Sequence, residues 1–147
     1  MIYTIGYQNN TFSEIEQIMD DKDIDLLLDV RSWPYSRNPM KKEFNKNRLQ
    51  EFLEEKYLWI GNLCGGKSGM PVSEKCIIKI NKDLHYWRGF SLLLMCMENH
   101  PCDCHRLYDI SRRLAKIGVE AIHLFNGKEM TTGELSEQYC KERRKKK

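Results

Sequence analysis

The residues best suited to chemistry lie close together in the chain, between positions 96 and 106. They are two thiols, a carboxylate, an imidazole and a guanidinium, namely Cys96, Glu98, Cys104, His105 and Arg106. A thiol beside a guanidinium and at the start of a helix has a lowered pKa, which is the setting that a nucleophilic cysteine requires. Cys104 has this setting most clearly, and Cys96 is the alternative nucleophile. Packing of both cysteines as small hydrophobic side chains also stays open.

In an enzyme with such a cysteine, the neighbouring groups have defined roles. His105 is the expected general base, and Glu98 is the expected acid or orienting group. Arg31 and Arg106 are expected to bind a phosphate or another anion. Asp29 either joins the catalytic residues or forms an ion pair with Arg31 that holds the loop. The sequence thus favours a cysteine-dependent hydrolase or transferase with an anionic substrate, and it does not specify a cofactor.

A metal centre is the second interpretation of this stretch. Four side chains offer thiolate or imidazole ligands for zinc or iron: Cys96, Cys102, Cys104 and His105. The Cys-x-Cys-His spacing places the ligands closer than the usual Cys-x-x-Cys knuckle does. The preferred interpretation therefore assigns no metal ligand.

A nucleic-acid-binding module is the third interpretation. Its basis is a segment in which basic and aromatic residues alternate: Trp33, Tyr35, Arg37, Lys41, Lys42, Lys46 and Arg48. Such residues bind a phosphate backbone and stack on bases, although a solvated helix face explains most of the basic ones equally well. The expected partner is an anionic small molecule or a nucleic acid, and the sequence does not indicate an oligomeric state.

The strand before the cysteine stretch and the helix after it must position these residues. The apolar run from Phe90 to Met95 predicts a buried strand, and Asp103 can cap a helix with apolar residues at helical spacing. Four other runs predict strands, at positions 2–7, 24–30, 57–60 and 119–125. Helical patterns separate most of these runs. We therefore expect a single three-layer α/β domain with a mainly parallel sheet of about five strands and helices on both faces.

Other elements carry simpler expectations. A helix starting at Thr11 or Ser13, a helix over 45–56 and a last short helix over 130–139 are predicted. Buried packing is expected for four further residues: Cys76, Tyr86, Trp87 and His123.

The predicted strand ends should meet at one edge of the sheet. In a parallel sheet, ligands bind in the crevice beyond the carboxyl ends of the strands. Tyr7 follows the first strand, and Gly65 and Gly66 follow the third, in a loop whose glycines allow a backbone to approach a ligand closely. The loop does not match a phosphate-binding P-loop, because Pro71 follows it instead of a helix. With Arg37, these residues are the further candidates for substrate binding.

Length, charge and cysteine content limit the number of domains and the classes of partner and location. The chain has 147 residues, which suits one domain at 1–140 followed by a basic tail at 141–147. The net charge of +3 is small beside 24 basic and 21 acidic residues, so the overall field does not itself indicate nucleic acid. The start shows no signal-peptide pattern, and no apolar run is long enough to span a bilayer. We expect a cytoplasmic protein without membrane contact, whose six cysteines stay unpaired.

Several of these motifs, taken in order, resemble the domain-of-unknown-function 488 family. They are Tyr3-Thr-Ile-Gly-Tyr7, Asp29-Val-Arg31, Phe44-Asn-Lys46, Gly65-Gly66, Cys96-Met-Glu98, Cys104-His-Arg106 and Ile122-His123. The likeness covers nearly all the chain and implies a fold and a set of site residues, but no reaction. Tyr7 stands where the family commonly has histidine. The strand end at Asp29 and the later cysteine are also similar to rhodanese-type domains, an analogy that concerns fold alone.

Overall fold

The structure is a computed structural model that describes residues 1–66 and 69–146. Its centre is a sheet of six strands: β1 (Ile2–Gly6), β2 (Leu26–Asp29), β3 (Tyr57–Trp59), β4 (Leu92–Cys96), β5 (Ala121–Phe125) and β6 (Lys128–Thr131). The strand order is β3-β2-β4-β1-β5-β6, and all neighbours are parallel except β5 and β6. The predicted α/β class with a mainly parallel sheet is confirmed, with one antiparallel strand added at the edge.

Helices cover both faces of this sheet. They are α1 (Phe12–Asp21), α2 (Lys46–Leu53), α3 (Gly61–Cys64), α4 (Glu74–Ile78), α5 (Arg112–Lys116) and α6 (Glu137–Lys145). π-Helical turns continue α4 over Lys79–Tyr86 and precede α5 over Arg106–Ser111. A hydrophobic core lies on each face of the sheet: Leu28 of β2 belongs to one with Ile80 and Leu114, and Leu27 belongs to the other with Ile15. A third, smaller cluster forms around Phe125 and Leu135. Consecutive apolar residues in β2 thus serve opposite faces, as expected for a strand buried on both sides.

Strand β4 lies between β1 and β2, although it comes more than sixty residues after them in the chain. Gly6 is in register with Cys96, and Asp29 is in register with Met95. The carboxyl end of β4 is therefore flanked by the carboxyl ends of β1 and β2. This strand order is what brings the cysteine stretch to the loops that follow Gly6 and Asp29.

Helix α1 begins as its sequence indicates. The Thr11 side chain accepts a hydrogen bond from Glu14 N, and the Glu14 carboxylate accepts one from Thr11 N. This reciprocal capping box satisfies two amides that lack partners inside the helix. Thr11, and not Ser13, is the cap.

The C-terminal part differs from the prediction. Residues 128–131 form β6 and not the start of a helix, because the Asn126-Gly127 turn returns the chain antiparallel to β5. Helix α6 begins later, where the Ser136 hydroxyl accepts a hydrogen bond from Tyr139 N. It extends to Lys145, so most of the segment that we interpreted as a tail is helical, and Lys147 lies outside the described residues.

Two cysteine pairs correct the expectation of unpaired thiols. Cys64 is bonded to Cys76, and Cys102 is bonded to Cys140. The fold brings each pair together from separate elements, and sequence spacing could not indicate this. Cys76 is thus bonded and not merely packed, whereas Cys96 and Cys104 are free and buried.

Three further expectations have clear outcomes. His123 is confirmed as a satisfied core histidine, because its ring nitrogens lie 2.6 Å from Thr4 Oγ1 and 3.0 Å from Thr132 Oγ1. Tyr86 and Trp87 do not cover the core; both side chains are more than two-thirds exposed at the end of the π-helical turns. No helix among the described residues has the length and apolar character needed to cross a membrane.

Candidate active site

A cavity of about 510 Å³ opens where β1, β2 and β4 end. Seven of the predicted site residues line it: Tyr7, Arg31, Arg37, Gly66, Cys96, Glu98 and His105. Four others lie outside its lining: Asp29, Gly65, Cys104 and Arg106. The parallel sheet therefore does bring distant segments to one crevice, as its architecture requires.

Three donor atoms form a compact cluster at this cavity. The Cys96 and Cys104 sulfurs lie 3.8 Å and 3.7 Å from His105 Nδ1, and all three atoms lie within 4.8 Å of one another. Cys96 and His105 reach the cavity, whereas Cys104 lies beneath them and is only 1% exposed. Cys102 does not join them because it is bonded to Cys140, which removes it from the predicted ligand set.

Cys104 sits at the start of the helical segment that leads into α5. Its carbonyl accepts hydrogen bonds from Leu107 N and Tyr108 N, and its sulfur accepts one from Arg106 N at 3.5 Å. Its backbone is extended, as is usual for a cap residue. Cys104 thus occupies the cap position that we predicted for Asp103, which instead ends the 3₁₀ turn Pro101–Asp103.

The His105 ring is held by main-chain oxygens. Nε2 lies 2.8 Å from the Cys64 carbonyl and 3.2 Å from the Val30 carbonyl. Because a carbonyl oxygen only accepts hydrogen bonds, Nε2 carries a proton. Nδ1 is then the nitrogen that faces the two sulfurs. Gly66 completes this support, since a Cβ atom there would lie 2.9 Å from His105 Cγ.

The pKa values of the two thiols are shifted in opposite directions. Burial raises the pKa of Cys104, but hydrogen bonds from Cys96 and His105 and the positive charges of Arg106 and His105 outweigh it, so this pKa lies well below its ordinary value. The hydrogen bond to Cys104, together with burial, holds the pKa of Cys96 well above its ordinary value. The deep sulfur of Cys104 is therefore the more acidic of the two, and the sulfur of Cys96 at the cavity is the less acidic.

Glu98 lies directly beside this pair. The Cys96 thiol donates to Glu98 Oε2 at 3.3 Å. Burial, followed by the negative charge of Cys104, raises the pKa of the Glu98 carboxyl. A carboxyl group with a raised pKa exchanges protons near neutrality more readily than an ordinary one, which suits a general acid or base.

Arg31 forms a buried ion pair with Asp29. Its Nε and Nη2 donate to the two carboxylate oxygens at 2.8 Å and 2.7 Å, and Nη2 also donates to the Phe44 carbonyl. The Tyr57 hydroxyl donates to Asp29 as well. The ion-pair alternative for Asp29 is thus confirmed, and a catalytic role for this fully buried carboxylate stays a prediction.

Within the described part of the chain, one nitrogen of the Arg31 guanidinium lacks a hydrogen-bond acceptor. Among the described residues, Arg31 Nη1 is the buried side-chain nitrogen or oxygen without a hydrogen-bond partner. It lies on the guanidinium side opposite the edge that Asp29 occupies. The Arg31 guanidinium also packs over the Tyr7 ring, at 5.1 Å from its centre.

Arg106 supports the site from outside the cavity. Its guanidinium is fully buried and donates to the Glu98 and Asn99 carbonyls and to Thr4 Oγ1. These bonds hold the turn that carries Glu98. The predicted anion clamp between Arg31 and Arg106 is therefore not assembled, and Arg106 contributes through its charge and its hold on the backbone.

Gly65 has a packing role. A Cβ atom at Gly65 would lie 2.5 Å from Ser32 Cβ and 2.6 Å from the Gly61 carbonyl. Absence of a side chain lets this loop approach the one after β2. In the same loop, Lys67 lies outside the described residues.

The three lysines of the basic segment after β2 are occupied by contacts within the protein. Lys41 Nζ donates to the Asn10 carbonyl, Lys42 Nζ donates to the Ser36 carbonyl, and Lys46 Nζ lies over the Trp59 ring. Of the basic residues in the nucleic-acid interpretation, Arg37 is the one that lines the cavity. The three lysines instead contact other parts of the fold, and Arg48 is exposed outside the cavity.

Some contributions were not visible in the sequence. The Val30 and Cys64 carbonyls are main-chain groups, and no residue type indicates them. Tyr57 could have been considered, since it begins the strand beside β2, where its hydroxyl reaches Asp29.

Fold and site together define an α/β protein with a mainly parallel sheet and a Cys-Cys-His cluster at the strand ends. Residues 11–87 match the family described as "Domain of unknown function DUF488", and this stretch is more than half of the 147-residue chain. The chain belongs to that family. The matched stretch contains Asp29 and Arg31 and ends before β4, so it does not reach the cysteine cluster. No curated protein and no solved structure matches the chain.

Proposed function

We propose that this protein is a metal-dependent enzyme in which Cys96, Cys104 and His105 hold a zinc ion at the cavity that receives an anionic substrate. The observation that carries the proposal is the spacing of the three donor atoms. Tetrahedral zinc with its usual bond lengths places sulfur and nitrogen ligands roughly 3.6 Å apart. The two sulfur–nitrogen distances, 3.8 Å and 3.7 Å, are close to this value.

The surroundings of the cluster support the same function. Metal-binding histidines usually donate their second N–H to a carbonyl or carboxylate, which fixes the ring, and His105 Nε2 has this arrangement. Thiolate and imidazole ligands favour zinc over magnesium or calcium. Zinc binds cysteine as the thiolate, so metal binding would release the thiol protons of Cys96 and Cys104.

A zinc ion with three protein ligands and one open position supplies a Lewis acid and an activated water molecule. In this chain, Cys96 and His105 line the cavity, so a zinc ion that they held would face it. Glu98 is placed to accept or donate the proton that a hydrolytic reaction moves, because its carboxyl lies beside Cys96. Arg31 is placed to hold the anionic part of the substrate. A hydrolase is accordingly the reaction class that we propose.

A cysteine nucleophile is the second candidate, and the lowered pKa of Cys104 favours it. A nucleophile, however, needs both a low pKa and access to the substrate, and neither cysteine has both. The sulfur with the low pKa is buried, and the sulfur that reaches the cavity has a raised pKa. A metal site uses both sulfurs as ligands, so it explains why Cys96 and Cys104 both lie beside His105.

Metal analysis of the purified protein separates these candidates. We expect one equivalent of zinc per chain, and the cobalt-substituted protein should show the intense absorption of thiolate-to-metal charge transfer. C96S, C104S and H105Q should each lower the metal content severalfold. H85Q is the matched control, because His85 bonds to the Phe90 carbonyl away from the cavity.

The contrary outcomes are equally clear. Full metal content in C104S or H105Q contradicts the proposed ligand set. A protein that retains no metal after exposure to zinc, yet loses activity in C96S, supports the cysteine nucleophile instead.

A cytoplasmic location belongs to the proposal too. The two disulfides are unusual for a reducing compartment, where such bonds are rare. Alkylation of protein from freshly lysed cells tests the location. Two reactive thiols per unfolded chain indicate an oxidising compartment, and six support the cytoplasm.

A further inference from the structure

One wall of the cavity is formed by residues other than the Cys-Cys-His cluster and its neighbour Glu98. It comes from the loop after β2, whose lining residues are Arg31, Ser32, Trp33, Tyr35, Ser36, Arg37 and Asn38. Two of them are arginines and two are large aromatic residues. The chemistry of this wall therefore differs from that of the wall formed by Cys96, Glu98 and His105.

The arginines leave hydrogen-bond donors unused. Arg31 is about 95% buried, and its Nη1 has no partner within residues 1–66 and 69–146. A buried donor without an acceptor is costly, so an acceptor from a ligand would stabilise it. The Arg37 guanidinium is exposed and takes part in none of the ion pairs found in the described part of the chain. An oxyanion with several oxygens can serve both guanidinium groups.

The aromatic side chains are exposed although they lie at a cavity. The Trp33 side chain is 68% exposed and that of Tyr35 is 40% exposed, and their ring centres are 5.3 Å apart. Exposed aromatic rings beside arginines are the usual platform for a planar base. Neither ring contributes to the two hydrophobic cores of the sheet.

The loop that carries these groups is held in place before any ligand arrives. Ser36 N donates to Asn45 Oδ1 at 2.7 Å, Lys42 Nζ donates to the Ser36 carbonyl, and Lys46 N donates to the Pro34 carbonyl. A preorganised loop loses little conformational entropy on binding. The basic residues of this segment thus prepare the wall even where they do not line it.

We infer that the substrate is a nucleoside monophosphate, with its phosphate on Arg31 Nη1 and Arg37 and its base on Trp33 and Tyr35. The inference rests on the proposed function, because it names the substrate class for the same cavity. A volume of about 510 Å³ falls within the range of small-molecule sites and admits one nucleotide. A longer nucleic acid would need basic groups beyond the cavity, and the nearby lysines are bound to the backbone or packed on aromatic rings.

Calorimetric titration of the metal-free protein tests the inference independently of the metal. The probes are AMP, GMP, CMP and UMP, together with adenosine and inorganic phosphate. We expect at least one monophosphate to bind about tenfold or more tightly than adenosine and than phosphate alone, because charged hydrogen bonds and stacking both contribute.

Variants assign the contacts. R37A should weaken monophosphate binding about tenfold, while R48A, which removes an exposed arginine outside the cavity, should leave it unchanged. R31K keeps a cation beside Asp29 but removes Nη1, and it should weaken the binding of phosphate and monophosphate alike. W33A should weaken monophosphate binding without affecting inorganic phosphate.

Several results would overturn the inference. Equal affinity for adenosine and AMP would contradict a phosphate subsite. Equal effects of R37A and R48A would show that Arg37 does not belong to that subsite. A single-stranded oligonucleotide that binds much more tightly than every monophosphate replaces the small-molecule class with nucleic acid. If the protein binds zinc as proposed and no monophosphate binds, the substrate class is wrong while the proposed metal site stands.

Discussion

Replacing Asp29 with asparagine should be among the most damaging single changes outside the hydrophobic core. Asp29 is fully buried and accepts two hydrogen bonds from the Arg31 side chain, one from Arg31 N and one from the Tyr57 hydroxyl. D29N keeps the size of the side chain but leaves the Arg31 charge buried without its counter-ion. Breaking a buried pair in this way typically costs about 3–5 kcal/mol. Domains of this size have about 5–15 kcal/mol of stability in total, so the loss should be obvious.

Urea denaturation at pH 7, followed by circular dichroism, measures the free energy of unfolding. E129Q is the control, because Glu129 pairs with Lys22 at the surface, where an ion pair contributes about 1 kcal/mol at most. The double variant D29N/R31M should recover part of the loss, since it removes the uncompensated charge. If D29N proves too unstable to fold, Y57F provides a milder test, with an expected cost of about 1–3 kcal/mol. A loss from D29N no larger than that from E129Q would refute the buried ion pair.

Three other predictions test separate parts of the structure. Burial, with help from the charges of Arg106 and Arg112, lowers the pKa of His123 to about 3, whereas in the unfolded chain it is near 6.5. The free energy of unfolding should therefore be highest above pH 6.5, where His123 is neutral in both states, and should fall by about 2 kcal/mol by pH 5, where the unfolded chain binds a proton that the folded protein does not. Urea titrations of H123Q should lack this part of the pH dependence. T11A should lower the free energy of unfolding by about 1 kcal/mol in the same assay, because it removes the cap of α1, and a loss equal to that of S13A would contradict the cap assignment. G66A should push the His105 ring aside and reduce zinc affinity at least tenfold with little change in melting temperature, whereas G118A, at a positive-φ site in open space, should reduce stability and leave zinc affinity unchanged.

Local patterns account for most of the elements. The apolar runs of β2 and β4 have residues for both faces of the sheet, and their burial follows from this composition. The capping box of Thr11 and Glu14 marks the start of α1 within one residue. These signals act over a few residues, so the sequence displays them directly. The alternation of such strands and helices was therefore enough to predict the class of fold and the edge of the sheet where the site lies.

The C-terminal part escaped this reasoning for a physical reason. Strand β6 is short, largely polar and half exposed, so it lacks the apolar alternation that indicates a strand. It forms because β5 offers a free edge and the Asn126-Gly127 turn returns the chain to it. Pairing with a neighbour, and not intrinsic preference, decides such a strand.

The chemical groups of the candidate site, and the strand ends and helix starts that carry them, can be read from the order of residues in the chain. The sequence contains the thiols, the imidazole of His105 and the guanidinium of Arg31, and it places each near the end of a strand or the start of a helix. Which of these groups lie in contact depends on how the strands and loops pack together. The insertion of β4 between β1 and β2 sets Cys96 beside the cavity, the disulfide to Cys140 removes Cys102 from the cluster, and main-chain carbonyls orient His105. Strand order depends on the packing of whole faces, and a main-chain oxygen is the same for every residue type, so neither leaves a trace in local sequence.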